Sequence, residues 1–182
     1  MSGGLCGSCL NEITYSIGEK GDTGSSGTNG TNGTNGTNGT NAIEDVVLLT
    51  GAVKTIAESE TGTLFILDRA DGIAMTLPSD PADATFYMFQ VKTDVTATSY
   101  SITLTNGSGT ELMAGFLFGK KSATADERFL PDLSNDVIIS MNGSTTGGLR
   151  GTDITIAYDK ANVRWYVSGQ YYGSGALATP FS

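Results

Sequence analysis

Residues 18–41 read GEKGDTGSSGTNGTNGTNGTNGTN, a segment in which glycine stands at every third position. The glycines keep one phase through eight triplets: Gly18, Gly21, Gly24, Gly27, Gly30, Gly33, Gly36 and Gly39. A triple helix of polyproline-II chains needs this period, because only glycine fits where the three chains meet at their common axis. The segment therefore predicts a collagen-like triple-helical stalk about 70 Å long. It also predicts a parallel homotrimer with these glycines on its axis.

A flexible linker is the alternative interpretation of this segment. Gly, Ser, Thr and Asn also dominate linkers, and the triplets contain no proline to fix the backbone. A linker, however, gives no reason for glycine to keep its phase. The triplets also contain formal glycosylation sequons at Asn29, Asn32, Asn35 and Asn38. Without a secretion signal, we expect these side chains to face solvent on the rod.

The stalk divides the chain into three parts: an N-terminal anchor (residues 1–17), the stalk (18–41) and a head domain (42–182). The 182 residues carry a net charge of −9 and no histidine. A basic run is lacking, and this excludes the usual electrostatic basis for binding nucleic acid or an anionic membrane. We therefore expect neither nucleic acid nor a membrane as a partner.

The anchor is too short and too weakly apolar to fold alone. Its apolar residues are Leu5, Leu10, Ile13, Tyr15 and Ile17. We expect this surface to dock on another protein. Cys6 and Cys9, the only cysteines, have three interpretations: small packed residues, interchain cross-links in oxidising surroundings, or thiolate metal ligands shared by three chains.

The first residues show no charged n-region and no apolar run of signal-peptide length, and no segment reaches transmembrane length. We therefore expect the chain to be made and assembled in a cytoplasm.

Residues 42–182 show period-two patterning with frequent turn signals, which predicts an all-β head of about ten short strands. This spacing is typical of a β-sandwich or a jelly-roll-like domain. Residues 43–50 (IEDVVLLT) predict the first strand. Residues 63–78 predict a hairpin about Asp71-Gly72, and its second arm ends before Pro78. That arm places three apolar residues on one face: Ile73, Met75 and Leu77.

The rest of the head continues this pattern. Residues 86–92 (FYMFQVK) predict a central strand, and 99–118 predict a second hairpin about Asn106-Gly107. Lys120 to Arg128 predicts a polar loop, and 137–141 predicts another strand. The second hairpin should bury Tyr100, Ile102 and Leu104. Residues 152–169 predict a third hairpin in which Ile154, Ile156 and Tyr158 face Val163, Trp165 and Val167.

An enzymatic role is not expected. The lack of histidine excludes Ser-His-Asp, Cys-His and histidine-ligated metal sites. Four aspartates cluster in sequence: Asp68, Asp71, Asp80 and Asp83. They would suit a glycosidase pair or calcium, but aspartate is favoured in turns for local hydrogen bonds and the spacing lacks a calcium-loop pattern. We expect no cofactor and no metal.

A short anchor, collagen-like triplets and a β-rich head resemble the fibre and decoration proteins of tailed bacteriophages. Residues 61–91, with apolar strands around a turn and a TLP ending, are similar to small β-domains of phage virion proteins. The resemblance implies a structural virion protein. The anchor would bind a capsid or other virion protein through residues 1–17, and the head would project from the virion surface.

Within that resemblance, a capsid decoration protein or head fibre fits the small size and acidic surface, and the head could aid adhesion to a host-surface glycan or protein. A receptor-binding tail fibre is the alternative, with Tyr171, Tyr172 and Phe181 as its exposed aromatic residues. A bacterial or spore surface adhesin with a C1q-like head is a further alternative, which would require export.

Overall fold

The computed structural model describes residues 20–27, 43–105, 111–120 and 126–182. The chain forms two compact units, Met1–Asn38 and Gly39–Ser182. In the first unit, residues 20–27 are exposed and lie in neither helix nor strand. In the second unit, the described residues form twelve strands and a 3₁₀ turn at Glu58–Glu60. The prediction of an all-β head is therefore confirmed.

The described strands belong to two sheets that share one hydrophobic core, an arrangement consistent with a β-sandwich. The larger sheet contains β1 (Asp45–Leu49), β3 (Thr63–Leu67), β5 (Phe86–Val91), β7 (Leu112–Gly115), β8 (Leu117–Lys120), β9 (Glu127–Phe129), β11 (Asp153–Asp159) and β12 (Arg164–Tyr172). The smaller sheet contains β2 (Val53–Thr55), β4 (Ala74–Thr76), β6 (Tyr100–Thr103) and β10 (Ile138–Met141).

From β1 to β6 the chain alternates between the two sheets. Strands β1, β3 and β5 pair in parallel in the larger sheet, and β2, β4 and β6 pair in parallel in the smaller one. The successive strand pairs β1–β2, β3–β4 and β5–β6 are therefore stacked one on the next, with one strand of each pair in each sheet. This parallel pairing differs from the antiparallel connectivity of a jelly roll, so that part of the sequence interpretation is wrong.

The predicted hairpin over residues 63–78 is also wrong, because β3 and β4 lie in different sheets. A turn forms where it was predicted: the Gly72 N–H donates to the Arg69 carbonyl at 3.0 Å, and Gly72 has φ +82°. It carries the chain from one sheet to the other. The Tyr100 hydroxyl connects this crossing to the next one. It accepts a hydrogen bond from the Arg69 N–H at 3.2 Å and donates one to the Thr93 carbonyl oxygen at 2.7 Å.

The second predicted hairpin, over residues 99–118, fails for the same reason. Strand β6 pairs with β4 and β10, whereas β7 pairs in parallel with β12. The proposed turn residues Asn106-Gly107 lie outside the described residues. The buried set Tyr100, Ile102 and Leu104 is confirmed, because each side chain is at most 4% exposed.

The third predicted hairpin is confirmed by the antiparallel pairing of β11 with β12. Ile156 pairs with Val167 and Tyr158 pairs with Trp165, as the phase predicted. Val163 is the exception, since it lies in the turn at φ +53° and Gly169 stands opposite Ile154.

Other strand predictions hold with adjusted bounds. Strand β5 lies between β3 and β11, so its central position is confirmed. The polar stretch Lys120 to Arg128 is shorter as a loop than predicted, because its ends belong to the antiparallel pair β8 and β9. Residues 180–182 run along β10: Ser182 and Ile138 exchange two hydrogen bonds of 2.8 and 3.0 Å.

The core lies between the sheets and is centred on Trp165, which is fully buried. Its ring lies 5.0 Å from Tyr158 and 6.1 Å from Tyr87, measured between centroids. The small sheet adds the face predicted from β4, since Ile73, Met75 and Leu77 are all buried. Alternation therefore predicted the buried face of this segment correctly.

Candidate functional site

The repeat glycines that the structure describes have no reason to be glycine within their own chain. A Cβ placed on Gly21, Gly24 or Gly27 would meet no atom within 4 Å, and none of the three has a left-handed φ. Neither backbone strain nor crowding within the described part of the chain accounts for their period. The other five glycines predicted to lie on the trimer axis are outside the described residues: Gly18, Gly30, Gly33, Gly36 and Gly39.

The anchor prediction also falls outside the described residues. This applies to the apolar residues Leu5, Leu10, Ile13, Tyr15 and Ile17 and to the cysteines Cys6 and Cys9. The sequon asparagines Asn29, Asn32, Asn35 and Asn38 lie outside them too.

Asp68 and Asp71 lie around the first crossing between the sheets. The Lys92 ammonium donates to Asp68 at 2.8 Å, and the Thr93 hydroxyl donates to the same carboxylate. These hydrogen bonds, from Lys92 and then from Thr93, lower the pKa of Asp68. Asp71 forms a 3.2 Å ion pair with Arg69. The turn interpretation named Asp71, which pairs within the turn, whereas Asp68 binds residues of the next crossing.

Asp80 and Asp83 belong to the loop between β4 and β5, and both lie beside Lys160, which follows β11. The Lys160 ammonium lies 3.4 Å from Asp80, and the Lys160 N–H donates to Asp83 at 3.1 Å. Among the residues that the structure describes, no three His, Cys, Asp or Glu side chains are arranged to hold a metal ion. The four aspartates therefore act as acceptors for loops and crossings in this structure.

Glu111 is a buried polar residue that the sequence reasoning missed. Its carboxylate is fully buried and accepts hydrogen bonds from the Trp165 indole N–H at 3.1 Å and from the Asp80 N–H at 2.5 Å. Burial, with Glu111 and Asp80 nearby, raises the pKa of Tyr158 to about 12. Only the directly following apolar run, LMAGFLF, could have signalled that this glutamate enters the core.

A cleft of about 520 Å³ opens at the crossing from β3 to β4. Its polar lining includes Arg69, Asp71, Thr98 and Ser99. The Arg69 guanidinium already pairs with Asp71 and donates to the Thr50 carbonyl at 3.4 Å. The guanidinium that lines this cleft is therefore already neutralised from within the chain.

The aromatic residues proposed for a receptor site are placed differently from the prediction. Tyr171 is fully buried and Phe181 is 5% exposed, while Tyr172 is half-buried. Tyr171 is a core residue because its ring packs on Phe129 and its hydroxyl donates to the Ala178 carbonyl at 2.7 Å. These three residues cannot form an exposed aromatic site.

The outer face of β1 is a second surface that the sequence reasoning missed. Val46 and Leu48 point away from the core and are 56% and 51% exposed. The run VVLL places apolar residues on both faces of this strand, which was the available signal. Apolar residues concentrated on an exposed face are typical of an interaction surface.

No protein-family model, curated protein or solved structure matches this chain. In the described residues, no helix has the length and apolar character needed to cross a membrane.

Proposed function

We propose that this chain is a structural virion protein, a homotrimeric capsid decoration protein or head fibre. Residues 1–17 form the anchor on a capsid or other virion protein, residues 18–41 form a collagen-like triple helix, and the head projects outward. In that position the head can also contribute to adhesion at the host surface.

The observation that carries this proposal is the contrast between the glycine period and the surroundings of the glycines. Gly21, Gly24 and Gly27 keep a strict period, yet a side chain at each would have open space in its own chain. In a triple helix the same positions lie against two other chains and admit no side chain. A trimer therefore supplies a physical reason for the period that a single chain does not.

The arrangement of the head supports a scaffolding role. Its titratable clusters tie crossings and loops together, and the cleft at the crossing from β3 to β4 contains an arginine already paired with Asp71. The receptor-binding tail fibre is less well supported than before, because Tyr171 and Phe181 are core residues.

Deletion of residues 1–17 tests the anchor. We expect soluble trimers that are absent from purified particles, because the segment that docks on the virion is missing. A matched control shortens the connection between β8 and β9 at residues 121–125, which should leave attachment unchanged. Particles that still carry the truncated protein at full occupancy would contradict the proposed orientation.

A further inference from the structure

The larger sheet carries a continuous apolar surface on the side away from the core, here called the outer face. The register places Val46 beside Leu64 and Leu64 beside Met88, while Leu48 lies beside Ile66. Leu64, Ile66 and Met88 are each half-buried, and the two β1 residues are more than half exposed. Three neighbouring strands thus present apolar side chains to the same side.

Charged residues lie at the two ends of the outer face. At one end Asp68 and Lys92 form an ion pair, and at the other the Glu44 side chain lies over Gly62. Between these ends, the outward positions of β1, β3 and β5 are uncharged, with Phe86 and Gln90 completing the set. An uncharged apolar area bordered by charges is the usual composition of an interface core and its rim.

The length of the chain before β1 indicates which partner this face meets. Asn41 closes the last triplet, and four peptide units separate it from Asp45, the first residue of β1. Fully extended, these units span at most about 14 Å. If three chains meet in the repeat, each β1 must therefore start close to their common axis. The span of about 14 Å is comparable to the distance of about 10 Å at which sheets pack face to face.

We propose that the outer face is the surface through which three copies of the head pack around the axis of the stalk. The inference rests on the proposed homotrimer and names its contact residues in the head: Val46, Leu48, Leu64, Ile66 and Met88. Around a threefold axis, each copy contacts both neighbours through its outer face, and the three copies form a closed ring. The head then fixes the register that a repeat without proline does not fix alone.

The test uses the full-length chain and two matched leucines. Leu48→Glu places a carboxylate in the outer face, and Leu133→Glu places one in the loop before β10, where the leucine is 55% exposed compared with 51% for Leu48. Sedimentation velocity over a range of concentrations gives the dissociation of the trimer. We expect Leu48→Glu to raise the dissociation concentration by about tenfold or more, since a buried unpaired carboxylate must be desolvated. Leu133→Glu should leave it unchanged.

Two outcomes distinguish a failure of this inference from a failure of the proposed function. A wild-type chain that is monomeric at every concentration contradicts the trimer itself. A wild-type trimer in which Leu48→Glu and Leu133→Glu dissociate alike overturns the outer face and leaves the trimer standing. If the intact stalk holds the trimer too tightly to dissociate, the same pair is compared in the Gly24→Ala background and by the temperature of dissociation.

A milder variant guards against loss of folding. Val46→Thr keeps the shape and the strand preference of the side chain, and near-UV circular dichroism of Trp165 reports whether the core is intact. With an intact core we expect a weaker trimer, with a dissociation concentration raised by about threefold because a hydroxyl enters an apolar contact. An unchanged dissociation concentration would count against the outer face.

Discussion

The glycines of the head and the described glycines of the repeat differ in what surrounds them. In the head, Gly115 has φ +99°, and a Cβ there would lie 2.1 Å from the Val167 carbonyl oxygen. In the repeat, a Cβ on Gly24 would meet nothing within 4 Å. The fold of the head excludes a side chain at the first glycine, whereas no atom of the described residues excludes one at the second.

The difference shows which measurements report on each region. A change in the head should alter the unfolding of that domain whatever its oligomeric state. A change in the repeat should alter association and leave the core intact. The following predictions test this division, from the largest expected effect to the smallest.

Trp165→Ala should destabilise the head by about 3 to 5 kcal/mol, because it removes the largest fully buried side chain and leaves a cavity beside Tyr158 and Tyr87. Denaturant unfolding of the full-length protein measures this free energy. Tyr166→Ala, at a 45% exposed position on the same strand, is the control. A loss below about 1 kcal/mol for Trp165→Ala would contradict the buried position of the indole.

Gly115→Ala should cost about 2 to 6 kcal/mol. The cost combines left-handed backbone strain with overpacking against Val167, each about 1 to 3 kcal/mol. Thermal unfolding followed by circular dichroism gives the shift in Tm. Ala114→Gly, the neighbouring change in the opposite direction, controls for altered strand propensity. An unchanged Tm would show that β7 can move away from β12.

Gly24→Ala should leave the unfolding of the head unchanged and weaken the trimer. The reason is that the added methyl has space in one chain but none on the axis of a triple helix. Light scattering and the temperature of trimer dissociation measure this effect. Ser25→Ala is the control at a neighbouring non-axial position. Equal behaviour of the two variants would favour the linker interpretation.

Asp68→Asn should have the smallest effect, which is present at neutral pH and disappears as the pH falls. The pKa of Asp68 is lowered in the folded state, so its contribution is present above the unfolded pKa of about 4 and is lost as pH falls through the folded value. The denaturant midpoint of the variant should therefore depend less on pH in the acidic range than the midpoint of wild type does. Unfolding between pH 3 and about pH 7 measures this, with Asp71→Asn as the control. A wild-type slope retained in Asp68→Asn would assign the dependence elsewhere.

The sequence predicted which side chains are buried better than it predicted which strands pair. Alternation correctly placed Ile73, Met75 and Leu77 in the core, because the period of a strand does not depend on its neighbour. The hairpin over 63–78 was wrong because turn residues determine where the chain bends, and not which sheet it enters. Gly72 adopts the expected positive φ and still leads into the other sheet.

The buried carboxylate and the outer face were missed for a related reason. Glu111 is buried because Trp165 and the Asp80 backbone satisfy it from distant parts of the chain. The run VVLL was a signal for Val46 and Leu48, but the extent of the outer face needed the register that puts Leu64 and Ile66 beside them. Both features depend on long-range pairing, which a pattern in one segment does not contain.

Residues 180–182 run along β10, and this placement has a consequence for the order of assembly. The small sheet is complete only after residues 180–182 have been synthesised. The stalk precedes the head in the sequence, so it is already synthesised while the nascent head still lacks this edge. If finished heads set the register, as proposed here, the three stalks meet first at Asn41. The triple helix would then close toward Gly18, in the direction opposite to translation.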